Sequence, residues 1–424
     1  MPIAPTSSLP SVLLDVQPKQ LAIDVPVEDL HRIAIVGHFR GHTEPYRIPA
    51  ERRAHIVDRE LLDSVVAMLE PSLTLPVGDR HVTLNFRYLR DFHPDRLWAF
   101  SPAFEDLGPR PAPPPPDDEF TEYLRRLIEP TTAPEPAPVE DKRCGSPEIT
   151  GRLRGLLGHP EFQRLEGTWR GLELLTHRLA GAPGIRLELI DMSREELDSD
   201  LLADRDLQDT ALYKLVAEDQ PYSLILADFH FGPTIEDLAI LHRLGRIGKH
   251  AGAPVIAGAL ADPPAWSDQC PAAWREFQET AAANWIALAY PRFLCRQPYG
   301  ASGDSCELVD FEELESHPAA TGLCWANSAW LCGAVLGDLF ASHGVRFEPG
   351  YMLDVDRLPQ YRYQREETAV AHPCGEYSLQ GEAALAASAH GLIPIVPVEG
   401  SAVMRILHFQ SVARARLVGR WSLE

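Results

Sequence analysis

The sequence lacks the features that place a chain in a membrane or send it across one. No window approaches the roughly 20 uninterrupted apolar residues of a membrane-spanning helix. Residues 1–19, MPIAPTSSLPSVLLDVQPK, contain neither a basic leader nor a long apolar run, so they are not typical of a secretory signal. These absences predict a cytoplasmic protein without membrane insertion.

Closely spaced cysteine pairs are also missing. The sequence has no C-x-x-C motif, and its seven cysteines are scattered. Their positions are Cys144, Cys270, Cys295, Cys306, Cys324, Cys332 and Cys374. An odd, dispersed set in a chain of this size favours reduced, mostly buried thiols over a disulfide framework or a structural zinc site.

Positive charge is in short supply. The 39 Lys and Arg residues oppose 61 Asp and Glu residues, which gives a formal net charge of -22. Such a surface repels phosphate backbones, so nucleic acid is not an expected partner. With 424 residues, of which 45% are hydrophobic, the chain is long enough to bury a large core in roughly two or three domains.

A proline-rich segment divides the chain. The stretches GPRPAPPPPDDEF and EPTTAPEPAPVED favour extended backbone that builds no core. Between them, residues 119–129 predict a short helix with Phe120, Leu124 and Leu127 on one face. The first predicted strand of the chain, and Arg125 and Arg126 at the exposed end of this helix, are candidate interface residues; alternatively, both arginines are simply solvated. We therefore expect three parts, at residues 1–107, 108–145 and 146–424.

The first part predicts the order strand, helix, strand. The apolar run Ile33–Val36 closes at a glycine and is typical of a buried strand. Asp58 is the predicted N-cap of a helix that ends before Pro71. Residues 81–89, HVTLNFRYL, alternate apolar and polar side chains as a half-buried strand does.

In residues 146–424, helical and strand patterns alternate. Residues 160–175 place a hydrophobic stripe along one helix face. Ser193 with Glu196, and Thr234 with Asp237, predict the starts of two further helices. Strands are predicted within IRLELIDMS, YSLILADF, APVIAGA and WIALAYPRFL. This order predicts an α/β layered domain with a mainly parallel sheet; past residue 345 the signals weaken.

Two histidines, His38 and His42, lie four residues apart in RIAIVGHFRGH. A zinc-binding helical pair needs both on one helix face and a glutamate beside the first. Here Phe39 follows His38, glycines interrupt any helix, and a strand precedes. We therefore interpret the pair as the end of a strand, with Phe39 inserted into the core.

Asp228 and His230, in ADFHFG, are candidates for an acid-base pair at a strand's carboxyl end. No nucleophile elbow accompanies them, and GASGDS at 300–305 lacks the lysine and helix start of a phosphate loop. A third candidate is the run Trp169, Arg170 and Gly171. There we expect a core tryptophan, an arginine paired with a carboxylate, and a glycine that admits another backbone.

The first part resembles the small contractile-sheath subunit of type VI secretion systems, the TssB/VipA family. The similarity is carried by VGHFRGH, ELLDSVVAML and VTLNFRYLRDFHPDRL. His38 stands where that family usually has aspartate. This substitution agrees with strand-end context rather than a ligand set.

The last part resembles the large sheath subunit, the TssC/VipB family. The matching stretches are HPEFQRLEGTWRGLELL, LILADFHFGP, AWREFQETAAANWIALAYPRFLCRQPYG, LCWANSAWLCGAVLGDLFASHG and GLIPIVPVEGSAV. The resemblance implies a fusion of two subunits that are normally separate, with a large part that lacks that family's C-terminal segment.

The resemblance implies a structural sheath subunit that works through lattice contacts and strand exchange around an inner tube, with no catalytic, cofactor or metal residues. Implied partners are other sheath protomers, the inner tube protein, baseplate components and the disassembly AAA+ ATPase. An accessory subunit at a sheath end or baseplate is the alternative. A cytosolic hydrolase or metal enzyme using Asp228, His230 and a histidine near residue 40 is the remote one.

Overall fold

The computed structural model describes residues 30–41, 52–108, 110, 145–218, 220–260, 271–301, 303–314, 322–365 and 368–422. Within them, a nine-stranded sheet has the order β11-β15-β14-β8-β7-β6-β1-β5-β2. Its strands are β1 (His31–Gly37), β2 (His55–Val57), β5 (Ile185–Asp191), β6 (Leu224–Phe231), β7 (Val255–Ala259), β8 (Ile286–Tyr290), β11 (Tyr351–Val355), β14 (Leu392–Pro397) and β15 (Met404–His408). The six strands from β14 to β5 are parallel, which confirms the predicted α/β class.

Among the described residues, three strand pairs lie outside this sheet. They are β3 (Ser72–Val77) with β4 (Arg80–Asn85), β9 (Phe293–Leu294) with β10 (Trp325–Ala326), and β12 (Arg362–Arg365) with β13 (Thr368–Ala371). The helices are α1 (Leu62–Leu69), α2 (Pro94–Phe100), α3 (Pro147–Leu157), α4 (Pro160–Arg178), α5 (Arg194–Leu202), α6 (Ala211–Ala217), α7 (Ile235–Ala251), α8 (Ala272–Gln278), α9 (Ala329–His343) and α10 (Glu382–Ala389). No helix in the described part of the chain is both long and apolar enough to cross a bilayer.

Helices cover both faces of the large sheet. Alternate residues of β1 belong to two separate hydrophobic clusters, with Ile33 and Ile35 in one and Ala34 and Val36 in the other. The first cluster contains α4 and α9, and the second contains α5, α6 and α7. Because neighbouring side chains of a strand point to opposite faces, each helical layer has its own core.

Strand β1, from the first part of the chain, lies in the middle of this sheet. It pairs in parallel with β5 along its whole length, from His31 opposite Ile185 to Gly37 opposite Asp191. On its other side, Ile33 to Val36 pair with Leu224 to Ala227 of β6. Residues on either side of the proline-rich segment therefore build one sheet. The division at 107 and 145 stays a prediction, and the helix at 119–129 lies outside the described residues.

Most predicted local signals are confirmed. Ser193 accepts a hydrogen bond from the Glu196 backbone in a capping box, and Thr234 caps α7 by accepting from the Asp237 backbone. The N-cap prediction for Asp58 is wrong. Its carboxylate accepts from the backbone N–H groups of Glu60 and Leu61, and α1 begins one residue later, at Leu62. Asp58 therefore stabilises the turn before the helix.

The first part also contains more strands than the sequence predicts. Strand β3 was missed, although Leu73, Leu75 and Val77 alternate in burial as a half-exposed strand requires. It forms a hairpin with β4, which confirms the strand predicted there. Beyond residue 345, where the pattern is weak, the chain forms the antiparallel strands β11 and β15 at one edge of the sheet.

Candidate functional site

The segment that follows β1 packs into the core. Phe39 is fully buried, and its ring packs edge-on against that of Trp169 with centroids 5.2 Å apart. The Trp169 indole N–H donates to the Phe39 carbonyl at 3.0 Å. These contacts confirm the predicted core roles of both residues. His38 directly follows the strand, while His42 lies outside the described residues.

The remaining residues of the Trp169 run are also structural. Arg170 pairs with Glu173 at 3.1 Å and with Glu166 at 3.6 Å, as predicted for an arginine on this helix. The expectation for Gly171 is wrong in one respect. A side chain there would overlap the indole of Trp330 on α9, so this glycine admits a side chain and not a backbone.

A buried ionic cluster, the Arg296 cluster, ties α4 to the segment after β9. Its members are Glu166, Arg170, Arg296, Tyr299 and Glu313. The Arg296 guanidinium donates to Glu166 at 2.7 Å and to both Glu313 oxygens at 2.7 and 2.8 Å. The Tyr299 hydroxyl donates to the same Glu166 oxygen at 3.1 Å.

The charges of this cluster balance. Two arginines face two glutamates, and the opposite charges stabilise each other where water is excluded. Glu166 and Glu313 hold the pKa of Arg296 well above its usual range, although burial acts in the opposite direction. Within the described residues, only the second oxygen of Glu166 and Nε of Arg170 lack a hydrogen bond here. The cluster holds segments together and offers no open position for a substrate.

A second polar group joins the two parts of the chain. Asp95, at the start of α2, accepts the backbone N–H groups of Glu307, Leu308 and Val309 at 2.7, 3.0 and 3.2 Å. We call this set the Asp95 clamp. It holds a loop of residues 303–314 onto a helix from the first part of the chain.

Beside the clamp, one ligand atom each from His93, Asp95 and Cys306 lie within 4.8 Å of one another, a spacing that a metal ion could bridge. However, His93 Nδ1 already accepts the Asp95 backbone N–H at 3.2 Å, and both Asp95 oxygens accept N–H groups. Burial also raises the pKa of the Cys306 thiol to about 12. These bonds favour a capping role over metal binding.

The GASGDS stretch is a turn held by an acidic side chain. Glu312 accepts the Ala301 backbone N–H at 2.8 Å, and Gly300 donates its own N–H to the Asp304 carbonyl at 2.7 Å. A phosphate loop instead leaves its N–H groups open to the ligand. The interpretation against a phosphate loop at 300–305 is therefore supported by the hydrogen bonds of the described residues.

A polar recess, the His230 cleft, lies at the carboxyl ends of the central strands and has a volume of about 490 Å³. Its walls are formed by Pro160, Gln163, Arg164, Gly167, Thr168, Arg194, Asp228, Phe229, His230, Arg292, Trp325, Ala326 and Asn327. Asp228 and His230 both line it because they lie two residues apart on β6 and face the same way. This confirms that the two residues come together at a strand's carboxyl end.

The two side chains do not form an acid-base pair. Asp228 accepts a hydrogen bond from the Thr168 hydroxyl at 2.6 Å, and no hydrogen bond joins it to His230 in the described part of the chain. Burial raises the pKa of Asp228 and lowers that of His230 to about 3. At neutral pH the imidazole is therefore uncharged, and it lacks the carboxylate contact that would make it a stronger base.

Sequence reasoning missed the cationic residues of the cleft. Arg194 pairs with Asp198 at 2.7 Å and with Asp237, and Arg292 pairs with Glu376 at 2.8 Å. Arg194 and Arg292 come from different secondary-structure elements, so no local sequence motif indicates that they lie in one cleft. Only the Thr234 and Asp237 cap, which orients one of the carboxylates, was visible in the sequence.

The sheet ends in two exposed edge strands among the described residues. Strand β2 has three residues, with Ile56 51% exposed. Strand β11 presents Tyr351 and Met352 at 67% and 54% exposure. Edge strands carry unpaired backbone N–H and C=O groups, so both can accept another strand.

Comparison with known proteins identifies the larger part of the chain. The sequence matches the VipB family, described as EvpB/VC_A0108, tail sheath N-terminal domain, over residues 147–263 and 265–413. It is also 24% identical over 308 residues to the type VI secretion system sheath protein TssC1 of Pseudomonas aeruginosa. That alignment covers 65% of this chain and 59% of TssC1, so the chain spans less than two thirds of this relative. Because the family match covers more than half of its length, the chain belongs to the VipB tail sheath family.

Proposed function

We propose that the protein is a structural subunit of a type VI secretion contractile sheath, or of a sheath-like assembly, and that it works through contacts with neighbouring copies around an inner tube. The family match carries this proposal. The polar groups of the Arg296 cluster and of the Asp95 clamp are bonded to other parts of the chain, which supports a structural role for both. A helical assembly of this kind needs heterologous contacts that repeat without closing.

We further propose that residues 1–107 are a small-subunit-like part fused to the family domain. The support comes from the sheet. Strands β5 and β6 both lie inside the matched region, yet they pair with β1 and not with each other. The family domain alone would therefore have a one-strand gap in the centre of its sheet, and residues 31–37 fill it.

The Asp95 clamp supports the same fusion. It joins α2 to the 307–309 backbone across more than 200 positions of sequence. Around it, Phe86 and Phe92 stack at 4.2 Å, and Phe162 of α4 packs edge-on against both. A covalent link between parts that fit this closely makes their docking intramolecular and fixes a one-to-one ratio.

The neighbours in the proposed assembly would be other protomers, with the inner tube protein, baseplate components and a disassembly ATPase as further partners. Strand exchange would use the edges described above, because backbone addition satisfies the open N–H and C=O groups of β2 and β11. Tyr351 is the most exposed large apolar residue of either edge. It is the natural probe of this contact.

The proposal is tested by negative-stain microscopy of the purified protein, alone and with the products of neighbouring genes. Tubes or stacked rings are expected, and Tyr351→Asp should abolish them. Leu385→Asp, at a residue 71% exposed on α10 and away from the edges, is the matched control. Tubes that form equally well with both variants would refute edge pairing through β11. Capped sheath ends without tubes would instead support the accessory role, and isolated monomers throughout would contradict both.

The fusion is tested by cutting the folded protein. A specific protease site is placed between residues 111 and 143, and the chain is cleaved after purification. Because β1 lies between β5 and β6, both fragments should elute together in size-exclusion chromatography and separate only in denaturant. Two separate peaks in native buffer would refute the proposed docking.

A remote alternative is a metal enzyme that uses His230. It requires a stoichiometric metal by elemental analysis and turnover that is lost in His230→Ala. The lowered pKa of His230 and its missing carboxylate partner argue against it as a base, but not against a ligand site in the same cleft.

A further inference from the structure

The His230 cleft lies where α/β sheets most often bind ligands. After β1 the chain turns towards the face that carries α4, where Phe39 packs against Trp169, and from β6 it reaches β7 through α7, which packs on the other face. Since β1 and β6 are neighbours, their connections diverge at this point. A crevice opens at the carboxyl ends of strands where connections diverge in this way.

Helix ends at this edge favour negative charge. The N-terminal turns of α4 and α5 contribute Pro160, Gln163 and Arg194 to the walls of the cleft. His159 and Ser193 each cap one backbone N–H group, but the aligned peptide dipoles still leave partial positive charge at that end of each helix. This field alone does not define a site, but it acts in the same direction as the side chains.

Two buried polar atoms of the cleft have no partner. Within the described residues, Nε2 of His230 and Nε2 of Gln163 are inaccessible to solvent and make no hydrogen bond. Buried polar atoms are paired in the great majority of cases, so each exception needs an explanation. Both side chains line the same recess, and Gln163 is a donor at this atom.

A third side chain at the cleft has no direct partner, although its charge acts on the carboxyls of Asp228 and Glu195 from a distance. Arg164 is exposed, and its guanidinium forms no hydrogen bond or ion pair with any described residue. Arg194 and Arg292 already have carboxylate partners, yet they add positive charge to the wall. Asp228 is the one carboxylate among the residues that line the recess, so the three arginines outnumber it, which suits an oxyanion.

The size and the walls of the cleft indicate more than a bare ion. Its volume of about 490 Å³ falls within the range of small-molecule sites. Pro160, Phe229 and Trp325 provide apolar surface next to the polar group. One end is thus suited to an anionic group and the rest to the body of a small molecule.

We propose that the His230 cleft is a binding site for a small metabolite that carries a phosphate or carboxylate group, with this group held by Arg164, Gln163 and His230. The site does not depend on the sheath role, because none of these residues belongs to an exposed sheet edge. Bound ligand would link α4 to the end of β6. It would therefore stabilise the folded chain in proportion to its concentration.

The test uses the full chain and three probes, namely inorganic phosphate, glycerol 3-phosphate and succinate, with chloride at matched ionic strength as the blank. Equilibrium dialysis and thermal unfolding are measured for each probe. We expect saturable binding of one molecule per chain and a melting temperature that rises with probe concentration. Stronger binding of the phosphates assigns a phosphate site, and stronger binding of succinate assigns a carboxylate site.

Two variants decide whether the binding belongs to this cleft. Arg164→Gln removes a charge that forms no hydrogen bond or ion pair with the described residues and acts on Asp228 and Glu195 only from a distance. The fold should therefore be retained, and affinity should fall about tenfold. Arg275→Gln removes the same charge from an exposed position of α8. This helix packs near the amino end of β14, whereas the cleft lies at the carboxyl ends of the parallel strands, so affinity should be unchanged. Absence of saturable binding with all three probes, or equal loss in both variants, would overturn the proposal. Neither result would affect tube formation, so it is distinguishable from failure of the sheath role.

Discussion

Two polar regions lie on the same helix, α4, and differ in how far their side chains are satisfied. The Arg296 cluster balances two arginines against two glutamates, and most of its polar atoms are paired. The His230 cleft, reached from Gln163 and Thr168 of the same helix, leaves two polar nitrogens buried without partners in the described residues. The Arg296 cluster therefore has a structural role, whereas the His230 cleft has polar atoms left over for a ligand.

This difference shows how buried polarity can be interpreted in a chain without an obvious active site. In a paired cluster the attraction between partners offsets much of the free energy lost by taking the charges out of water. Removing one member leaves the others buried without a partner, which destabilises the folded state. An unpaired set already carries this cost, so a mutation there should destabilise the fold less. The predictions below use this asymmetry.

The largest effect is expected for Arg296→Met. It leaves Glu166 and Glu313 facing each other in a buried site without their shared cation. Breaking a buried ion pair from one side costs about 3–5 kcal/mol, and we expect that loss in the free energy of unfolding, measured by urea denaturation.

The control for this variant is Arg178→Met, near the end of the same helix. Arg178 pairs with Asp356 at 2.7 Å on the surface, where such pairs contribute less than about 1 kcal/mol. If both variants lost the same stability, the Arg296 cluster would be no more than another surface pair.

A smaller loss is expected for Asp95→Asn. The amide can replace one carboxylate oxygen as an acceptor, but its NH₂ group then faces a backbone N–H, so at least one donor of residues 307–309 is left unpaired. We expect a loss of about 1–3 kcal/mol in the free energy of unfolding. Asp79→Asn, at an exposed carboxylate that makes no hydrogen bond or ion pair among the described residues, is the control and should be close to wild type. A neutral Asp95→Asn would mean that the clamp does not hold the two parts together.

Local patterns predicted much of the fold. The helix stripe of residues 160–175 gave α4, and the Ser193 and Thr234 caps gave the starts of α5 and α7. These features depend on neighbours within one or two helical turns, so a single sequence contains them. The N-cap prediction for Asp58 was wrong because this side chain stabilises the turn just before the helix. The hydrophobic periodicity alone does not distinguish that turn from the first turn of the helix.

The position of β1 and the composition of the cleft could not be predicted in this way. The apolar run at 33–36 indicates a buried strand, but it does not say that the neighbours are β5 and β6, more than 140 residues away. The pairing of strands distant in sequence depends on the whole topology. For the same reason Asp228 and His230 were found as candidates, while Gln163 and Arg164, from another element, were not.

The stability contributed by His230, in the cleft, should depend on pH. Because the pKa of His230 is about 3 in the folded protein, against the usual 6.5 of histidine, the folded state binds this proton less readily than the unfolded state. Its contribution to stability is therefore fully present above pH 6.5 and is lost as pH falls from 6.5 towards 3. Between pH 7 and pH 5, wild type should lose about 1–2 kcal/mol more than His230→Asn.

The measurement is urea unfolding of both proteins at several pH values. The raised pKa of Asp228 acts with the opposite sign, since protonation of this carboxyl below its folded pKa favours the folded state. Both proteins retain Asp228, so the difference between their curves isolates His230. Parallel curves would show that the imidazole is hydrated in the folded protein and that the cleft is less enclosed than its geometry indicates.

The finest comparison removes one hydroxyl from each region, and its signal is the difference between the two losses. In the Arg296 cluster, Tyr299→Phe deletes a donor to Glu166 where water has no access, and we expect a loss of about 1–3 kcal/mol in the free energy of unfolding. In the His230 cleft, Thr168→Val deletes the donor to Asp228, but the recess has room for water to replace it. The expected loss there is about 1 kcal/mol or less. Equal losses would mean that the cleft is as closed as the cluster, and would remove the reason to regard its unpaired nitrogens as a place for a ligand.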